Sequence, residues 1–168
     1  MIAYMDLNEQ ADKDFSRARR WTLVRRLARR FRDDPLPAFE DLRRPLRAYN
    51  RVRLGTRVVP VTSIVGTVGR QKDFDGSFMP LRASVGERWK RIDLAYHRAE
   101  DLPPVSLYKL GDSYFVEDGN HRVSVARYHG TPTLEAVVTE FRFPAGTGRR
   151  DRDVQTPDSA ARRTKRAA

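Results

Sequence analysis

The sequence predicts a small α+β domain that follows a basic helical extension. One observation is the Gly111-Asp112 pair, which lies between two runs of apolar, β-branched and aromatic residues, as in a β-hairpin. Another is the helical spacing of apolar residues from about Asn120 to His129, which ends at Gly130. Strand and helix signals thus alternate within a short stretch, and this alternation indicates a mixed fold.

The length of the chain favours one domain with appendages over two domains. The 168 residues divide by composition into three parts. We expect a helical extension over residues 1–50, the α+β domain over 51–144, and a disordered basic tail over 145–168. The tail is expected because apolar residues become rare beyond Pro144.

The charge balance predicts a polyanionic partner. The formal net charge is +11 and 33% of the residues are charged. A nucleotide, a nonspecifically bound nucleic acid or an anionic membrane surface would each fit such a balance. Composition alone does not choose among them.

Two absences in the sequence limit the function classes. The chain contains no cysteine, which excludes disulfides, thiol catalysis and thiolate metal sites. Residues 1–10 lack the pattern of a signal peptide, and no run approaches the roughly 20 apolar residues of a membrane span. We therefore expect a cytoplasmic protein without a membrane span.

The extension is predicted to begin with one helix from about Asn8 to Arg32. A stripe of Trp21, Val24, Ala28 and Phe31 lies at helical spacing, and we expect it to dock on the domain or on a second subunit in a homodimer. The other predicted elements are a short helix over Phe39–Tyr49 bent at Pro45, an edge strand over Arg57–Val61, a long loop over Gly66–Pro80, a helix over Val85–Ala99, strands over Val105–Leu110 and Ser113–Val116, and a last strand over Leu134–Phe143.

The segment from Asp118 to Arg122 is predicted to be a phosphate-binding turn. The start of a helix presents unpaired backbone N–H groups, and Gly119 allows a phosphate to approach closely. Asn120 could cap the helix, while His121 and Arg122 add two donors at the same end. The alternative is a plain turn with solvated side chains. A cationic helix start opposes the helix dipole unless an anion is near, and this conflict favours a ligand.

A second candidate follows the first predicted strand. Gly66 and Gly69 would permit close backbone approach, Thr67 offers a hydroxyl group and Arg70 offers a charge. Just beyond, Asp73 and Asp75 are weak candidates for Mg²⁺ ligands. A surface turn is the alternative for all of these residues.

We predict no function for the two histidines outside the Asp118–Arg122 turn. His97 and His129 have no partners at ligand spacing along the sequence, and we expect both to be surface or helix-end residues. No confident metal site is predicted.

The run VSLYKLGDSYFVEDGNHRVSVARYHGTPTLEAVVTEF resembles the N-terminal domain of ParB partition proteins, which shares its fold with sulfiredoxin. Gly119 and Arg122 match the G-x-x-R core of the phosphate motif of that superfamily, and the resemblance extends over about residues 58–143. It implies a mixed sheet with packed helices, a bound nucleotide such as CTP or ATP, and Mg²⁺ as a companion ion.

Departures from the pattern narrow what the resemblance implies. Sulfiredoxin activity requires a cysteine where this chain has Asn120, so that activity is excluded. The favoured interpretation is that the chain is a nucleotide-binding ParB-like module, and NTP hydrolysis and DNA association are further expectations. One alternative is a small-molecule kinase on the same scaffold, with Glu117, Asp118 or His121 in catalytic roles. The other is a nonspecific nucleic-acid-binding protein without nucleotide chemistry.

Overall fold

The structure is a computed structural model that describes residues 6–28 and 36–144, without the side chains of residues 23–28. Four helices, five strands and two short 3₁₀ turns form in these ranges. In chain order they are α1 (Leu7–Ala28), α2 (Phe39–Arg43), β1 (Asn50–Pro60), a turn at Val61–Ser63, β2 (Ile64–Thr67), a turn at Ala83–Val85, α3 (Gly86–His97), β3 (Val105–Leu110), β4 (Ser113–Asp118), α4 (Asn120–His129) and β5 (Thr133–Arg142).

The strands form one mixed sheet in the order β1-β5-β3-β4-β2. β1 pairs antiparallel with β5 and β3 pairs antiparallel with β4, whereas β3 pairs parallel with β5 and β2 pairs parallel with β4. Helices and a mixed sheet in one chain confirm the predicted α+β class.

The strongest local predictions are confirmed. β3 and β4 form an antiparallel hairpin around Gly111, which has a φ of 59°. α4 spans Asn120–His129 as expected, and Gly130 ends it in the left-handed conformation with a φ of 70°. Pro60 lies at the end of β1, an edge strand that can accept a residue without an N–H group.

Three element boundaries were predicted wrongly. β1 begins at Asn50, seven residues before the predicted strand, because its pairing with β5 continues to Arg142. Gly66 lies in a strand rather than in a loop, since β2 pairs with β4. The second helix ends at Arg43; Pro45 has no N–H group with which to continue it.

The core has one part on each face of the sheet, because successive strand residues point to opposite faces. Val116 belongs to the larger cluster together with Trp89 of α3, whereas the adjacent Phe115 belongs to the smaller cluster with Phe39 of α2. All four side chains are at most 1% exposed. The larger cluster holds α3 and α4 against the sheet and fixes where α4 begins.

The helical extension contributes to both parts of the core. Ala18 and Leu36 belong to the larger cluster, and Phe39 and Ala48 to the smaller one. Trp21, expected on a docking stripe, remains 49% exposed and contacts the ring of Tyr128 at 5.7 Å between centroids.

The other members of the predicted stripe, Val24, Ala28 and Phe31, have side chains outside the described part of the chain, and so does the tail over residues 145–168. Among the described residues, no helix is both long enough and apolar enough to span a membrane.

Candidate functional site

The start of α4 lies beside the loop that follows β2. Because β2 and β4 run parallel, both strands end at the same edge of the sheet. The backbone N–H of Val68 donates to the carbonyl of Val116 at 2.9 Å, which joins the two strand ends directly. The structure therefore brings Gly69 and Arg70, from the second predicted motif, to the same edge as the turn at Gly119.

Gly119 makes the turn from β4 into α4. Its backbone is left-handed, with φ 102° and ψ 24°. A Cβ atom at this position would lie 2.7 Å from Cγ1 of Val105 and 3.0 Å from Nη2 of Arg122. The glycine that the sequence assigned to ligand approach is thus required by the conformation and by the packing of the turn itself.

The first turn of α4 has no side-chain cap. Gly119, not Asn120, occupies the cap position, and its carbonyl accepts from the N–H of Val123 at 3.0 Å. The predicted cap by Asn120 is therefore wrong, because Asn120 is the first helical residue. Its side chain is 6% exposed, and its Oδ1 atom has no hydrogen-bond partner among the described residues. The N–H groups of the residues before Val123 have no acceptor within the helix, as at any helix start.

Arg122 does not point its charge freely at a ligand. Its Nη1 donates to the carbonyls of Pro103 and Pro104, the latter at 2.9 Å, and its Nη2 donates to Oδ2 of Asp118 at 2.7 Å. The side chain is only 12% exposed. Arg122 therefore ties the start of α4 to the segment before β3, and its role as a donor to phosphate stays a prediction.

His121 is a neutral imidazole in a positive environment. It packs edge-on against Phe74, with 5.3 Å between ring centroids. Burial, together with the nearby positive charges of Arg88 and Arg70, lowers the pKa of His121 to about 4. His121 is consequently uncharged at neutral pH, so Arg122 is the charged side chain among the first three residues of α4. The positive charges of Arg88 and Arg70 thus act on the first turn of α4.

Of the second predicted motif, only Gly69 and Arg70 lie at this edge with space for a ligand. Gly66 and Thr67 are buried within β2, and the Thr67 hydroxyl donates to the carbonyl of Val116 at 3.2 Å. A Cβ atom on Gly66 would lie 2.4 Å from the carbonyl oxygen of Pro37. Both residues are therefore structural. Gly69 has open space around it, and Arg70 is 56% exposed.

The two candidate Mg²⁺ ligands brace the loop. Asp75 accepts the N–H groups of Ser77 and Met79 through Oδ1 at 2.9 and 2.8 Å. Asp73 pairs with Arg70 at 3.0 Å. These internal partners account for both carboxylates without a metal ion.

The predicted catalytic carboxylates are also paired. Glu117 accepts from the hydroxyl of Tyr108 at 2.5 Å, and Asp118 is the partner of Arg122. Hydrogen bonding to Glu117, reinforced by burial, raises the pKa of Tyr108. With Glu117 and Asp118 at the sheet edge but both engaged, their catalytic roles stay predictions.

Sequence reasoning missed two features. Arg88, in the first turn of α3, approaches His121 only because α3 packs beside α4, so it carries no local signal. Asp14, Asp93, His97 and His129 come together from three helices. Both histidines do end helices, as expected, but they have partners that the sequence analysis overlooked: Asp93 lies four residues before His97, and Asp14 comes from a distant helix.

The fold and the site together define a mixed α+β domain with a basic, uncapped helix start at one sheet edge. No family model matches the chain, and no curated protein matches it. One solved structure with similarity is sulfiredoxin from Arabidopsis thaliana, at 16% identity and a TM-score of 0.38 over 49% of this chain and 82% of that one. A similarity of this size carries no argument about family or activity.

Proposed function

We propose that this chain binds the phosphate groups of a nucleotide, such as CTP or ATP, at the edge where β2 and β4 end. The proposal is supported by the positive charges of Arg70 and Arg88, which both act on His121 in the uncapped first turn of α4. Helix N–H groups and two guanidinium groups are the donors that phosphate oxygens prefer. Arg88 is proposed here in place of Arg122, so one of the predicted binding residues changes, but the predicted class of ligand, a phosphate, does not.

The charges at this edge support an anionic ligand. Arg88 is exposed and forms no ion pair with another described residue, while Arg70 has only Asp73 as partner. The first turn of α4 contains no acidic side chain. The carboxylates that would compete with a phosphate are Asp73 and Asp118, which both act on His121 but are paired with Arg70 and Arg122.

Asn120 supports a ligand with hydrogen-bond donors as well as phosphates. Its buried Oδ1 lacks a partner within the described ranges, and a buried polar atom without a partner costs about 1–3 kcal/mol. A ribose hydroxyl or a base amine would supply the missing donor if the buried Asn120 side chain turned toward the ligand. Hydrolysis and phosphoryl transfer are not included in the proposal, because Glu117 and Asp118 are engaged within the chain.

The direct test is the thermal stability of the full chain with CTP, ATP, GTP, pyrophosphate and inorganic phosphate, with and without Mg²⁺. A ligand at one hundred times its dissociation constant stabilises the folded state by about 2.7 kcal/mol. We expect a nucleotide to raise the melting temperature, and Arg70→Gln and Arg88→Gln each to reduce that rise. Arg57→Gln, an exposed arginine on the distant edge strand β1, is the matched control and should respond like wild type.

Two results would refute the proposal. One is the absence of any shift with all five ligands. The other is an equal loss of response in Arg57→Gln, which would indicate diffuse polyanion binding of the kind that falls steeply with salt.

A further inference from the structure

We propose that Asp14, Asp93, His97 and His129 form a binding site for a divalent transition metal, with Zn²⁺ as the best match. One potential ligand atom from each residue lies within 4.8 Å of the others. Asp14 comes from α1, Asp93 and His97 from α3, and His129 ends α4. The site is independent of the proposed nucleotide site, because the two lie at opposite ends of α4, roughly 14 Å apart along the helix.

The distances suit a metal after small shifts, in which the closest ligand atoms move apart and the most distant ones move together. Nε2 of His97 lies 3.0 Å from Oδ2 of Asp14 and 3.5 Å from Oδ2 of Asp93, and Nε2 of His129 lies 2.7 Å from Oδ1 of Asp93. Tetrahedral zinc, with bonds of roughly 2.0–2.2 Å, places its ligand atoms roughly 3.4 Å apart. Asp93 and His97 are four residues apart, so they lie on the same face of α3.

Burial supplies the electrostatic reason for a cation. Asp14 is 2% exposed and Asp93 is 0% exposed, so two carboxylates are removed from water in one cluster. Buried charges are usually paired or bound to a metal. The nearest guanidinium, on Arg17, lies 3.7 Å from Asp14 and is 62% exposed. A divalent ion would neutralise both carboxylates at once.

The second observation is an unpartnered atom inside the cluster. Oδ2 of Asp93 is buried and accepts no hydrogen bond from the part of the chain that the structure describes. Its nearest polar neighbour in the cluster, Nε2 of His97, is 3.5 Å away. A metal ion bound between these atoms would satisfy that oxygen and use the lone pairs of the two imidazoles.

A surrounding shell already holds the ligands in place. Gln10 donates to Oδ2 of Asp14 at 2.9 Å, and the hydroxyl of Tyr128 donates to Oδ1 at 2.8 Å. The ring of Tyr96 stacks on His129 at 4.1 Å, with 9° between the planes. Such contacts orient metal ligands and tune affinity. Two imidazoles and two carboxylates suit Zn²⁺, Co²⁺ or Fe²⁺ better than Mg²⁺ or Ca²⁺, which prefer oxygen ligands.

The test uses the untagged full chain after treatment with chelator. Titration calorimetry with Zn²⁺ should give one ion per chain, and Co²⁺ should give the visible absorption of a tetrahedral site. Asp93→Asn and His129→Gln should each weaken Zn²⁺ binding by more than the roughly 10–100-fold typical of changes outside the ligand set. His97→Gln, at a partly exposed position, provides a third variant that folds even if a buried change does not.

The matched control is His121→Gln, which alters the one other histidine of the chain. It should bind Zn²⁺ with wild-type affinity. The proposal is overturned if Zn²⁺ does not bind with one-to-one stoichiometry, if the three cluster variants bind it as tightly as wild type, or if His121→Gln loses it. Any of these results would leave the cluster as a hydrogen-bonded Asp–His network.

Discussion

Replacement of Gly119 by alanine is expected to lower the free energy of unfolding by roughly 2–4 kcal/mol. Two costs add up at this position. The left-handed φ of 102° disfavours a side chain, and the new Cβ atom would lie 2.7 Å from Cγ1 of Val105, a buried side chain at the start of β3. Chemical denaturation of the full chain measures the difference directly.

Two other glycines separate these costs. Gly130 is also left-handed, but a Cβ atom there would meet nothing within 4 Å, so Gly130→Ala should lose only roughly 1–2 kcal/mol. Gly69 has the same open space without the positive φ, and Gly69→Ala should stay within about 0.5 kcal/mol of wild type. If Gly119→Ala costs no more than Gly130→Ala, Val105 does not confine the turn.

Replacement of Arg122 by alanine is expected to destabilise the chain by roughly 2–3 kcal/mol, whether or not a nucleotide is present. The side chain is largely buried, and its loss leaves the carbonyls of Pro103 and Pro104 without their charged donor. The ion pair with Asp118 contributes little, because Asp118 is 66% exposed. Denaturant midpoints with and without CTP or ATP measure both parts of the prediction.

Asp118→Asn is the control for Arg122. It removes the exposed ion pair but keeps the contacts to the two carbonyls, so its cost should stay below about 1 kcal/mol. A different pattern would contradict the structural role of Arg122. If Arg122→Ala is as stable as wild type and yet loses its response to nucleotide, the guanidinium serves the ligand and not the fold.

The parts of the fold that depend on neighbouring residues could be predicted from the sequence. The hairpin follows from Gly111 between two strand-forming runs, and α4 follows from its helical spacing and from Gly130 as its cap. β1 was placed seven residues late although Arg51 to Leu54 alternate polar and apolar residues, because Gly55, which lies at a register shift, interrupts that pattern. Its length depends on β5 as a partner.

Only some residues of the candidate site could be predicted, because the others depend on partners that are distant in sequence. The turn at Gly119 follows from its motif, but Arg70 reaches the same edge only through the parallel pairing of β2 with β4, which joins segments about 50 residues apart. The partners of Arg122 lie 18 and 19 residues earlier in the chain. Arg88 carries no sequence signal that distinguishes it from the other exposed arginines.

The measurement that tests the central proposal most directly is the pKa of His121 by NMR, with and without saturating nucleotide. In the free protein, burial and the positive charges of Arg88 and Arg70 hold this pKa at about 4, below the usual 6.5. A bound phosphate would favour the protonated imidazole, so we predict that nucleotide raises the pKa of His121 and that binding strengthens as the pH falls through this raised pKa toward 4. An unchanged pKa of His121 under saturating nucleotide would contradict the proposed site.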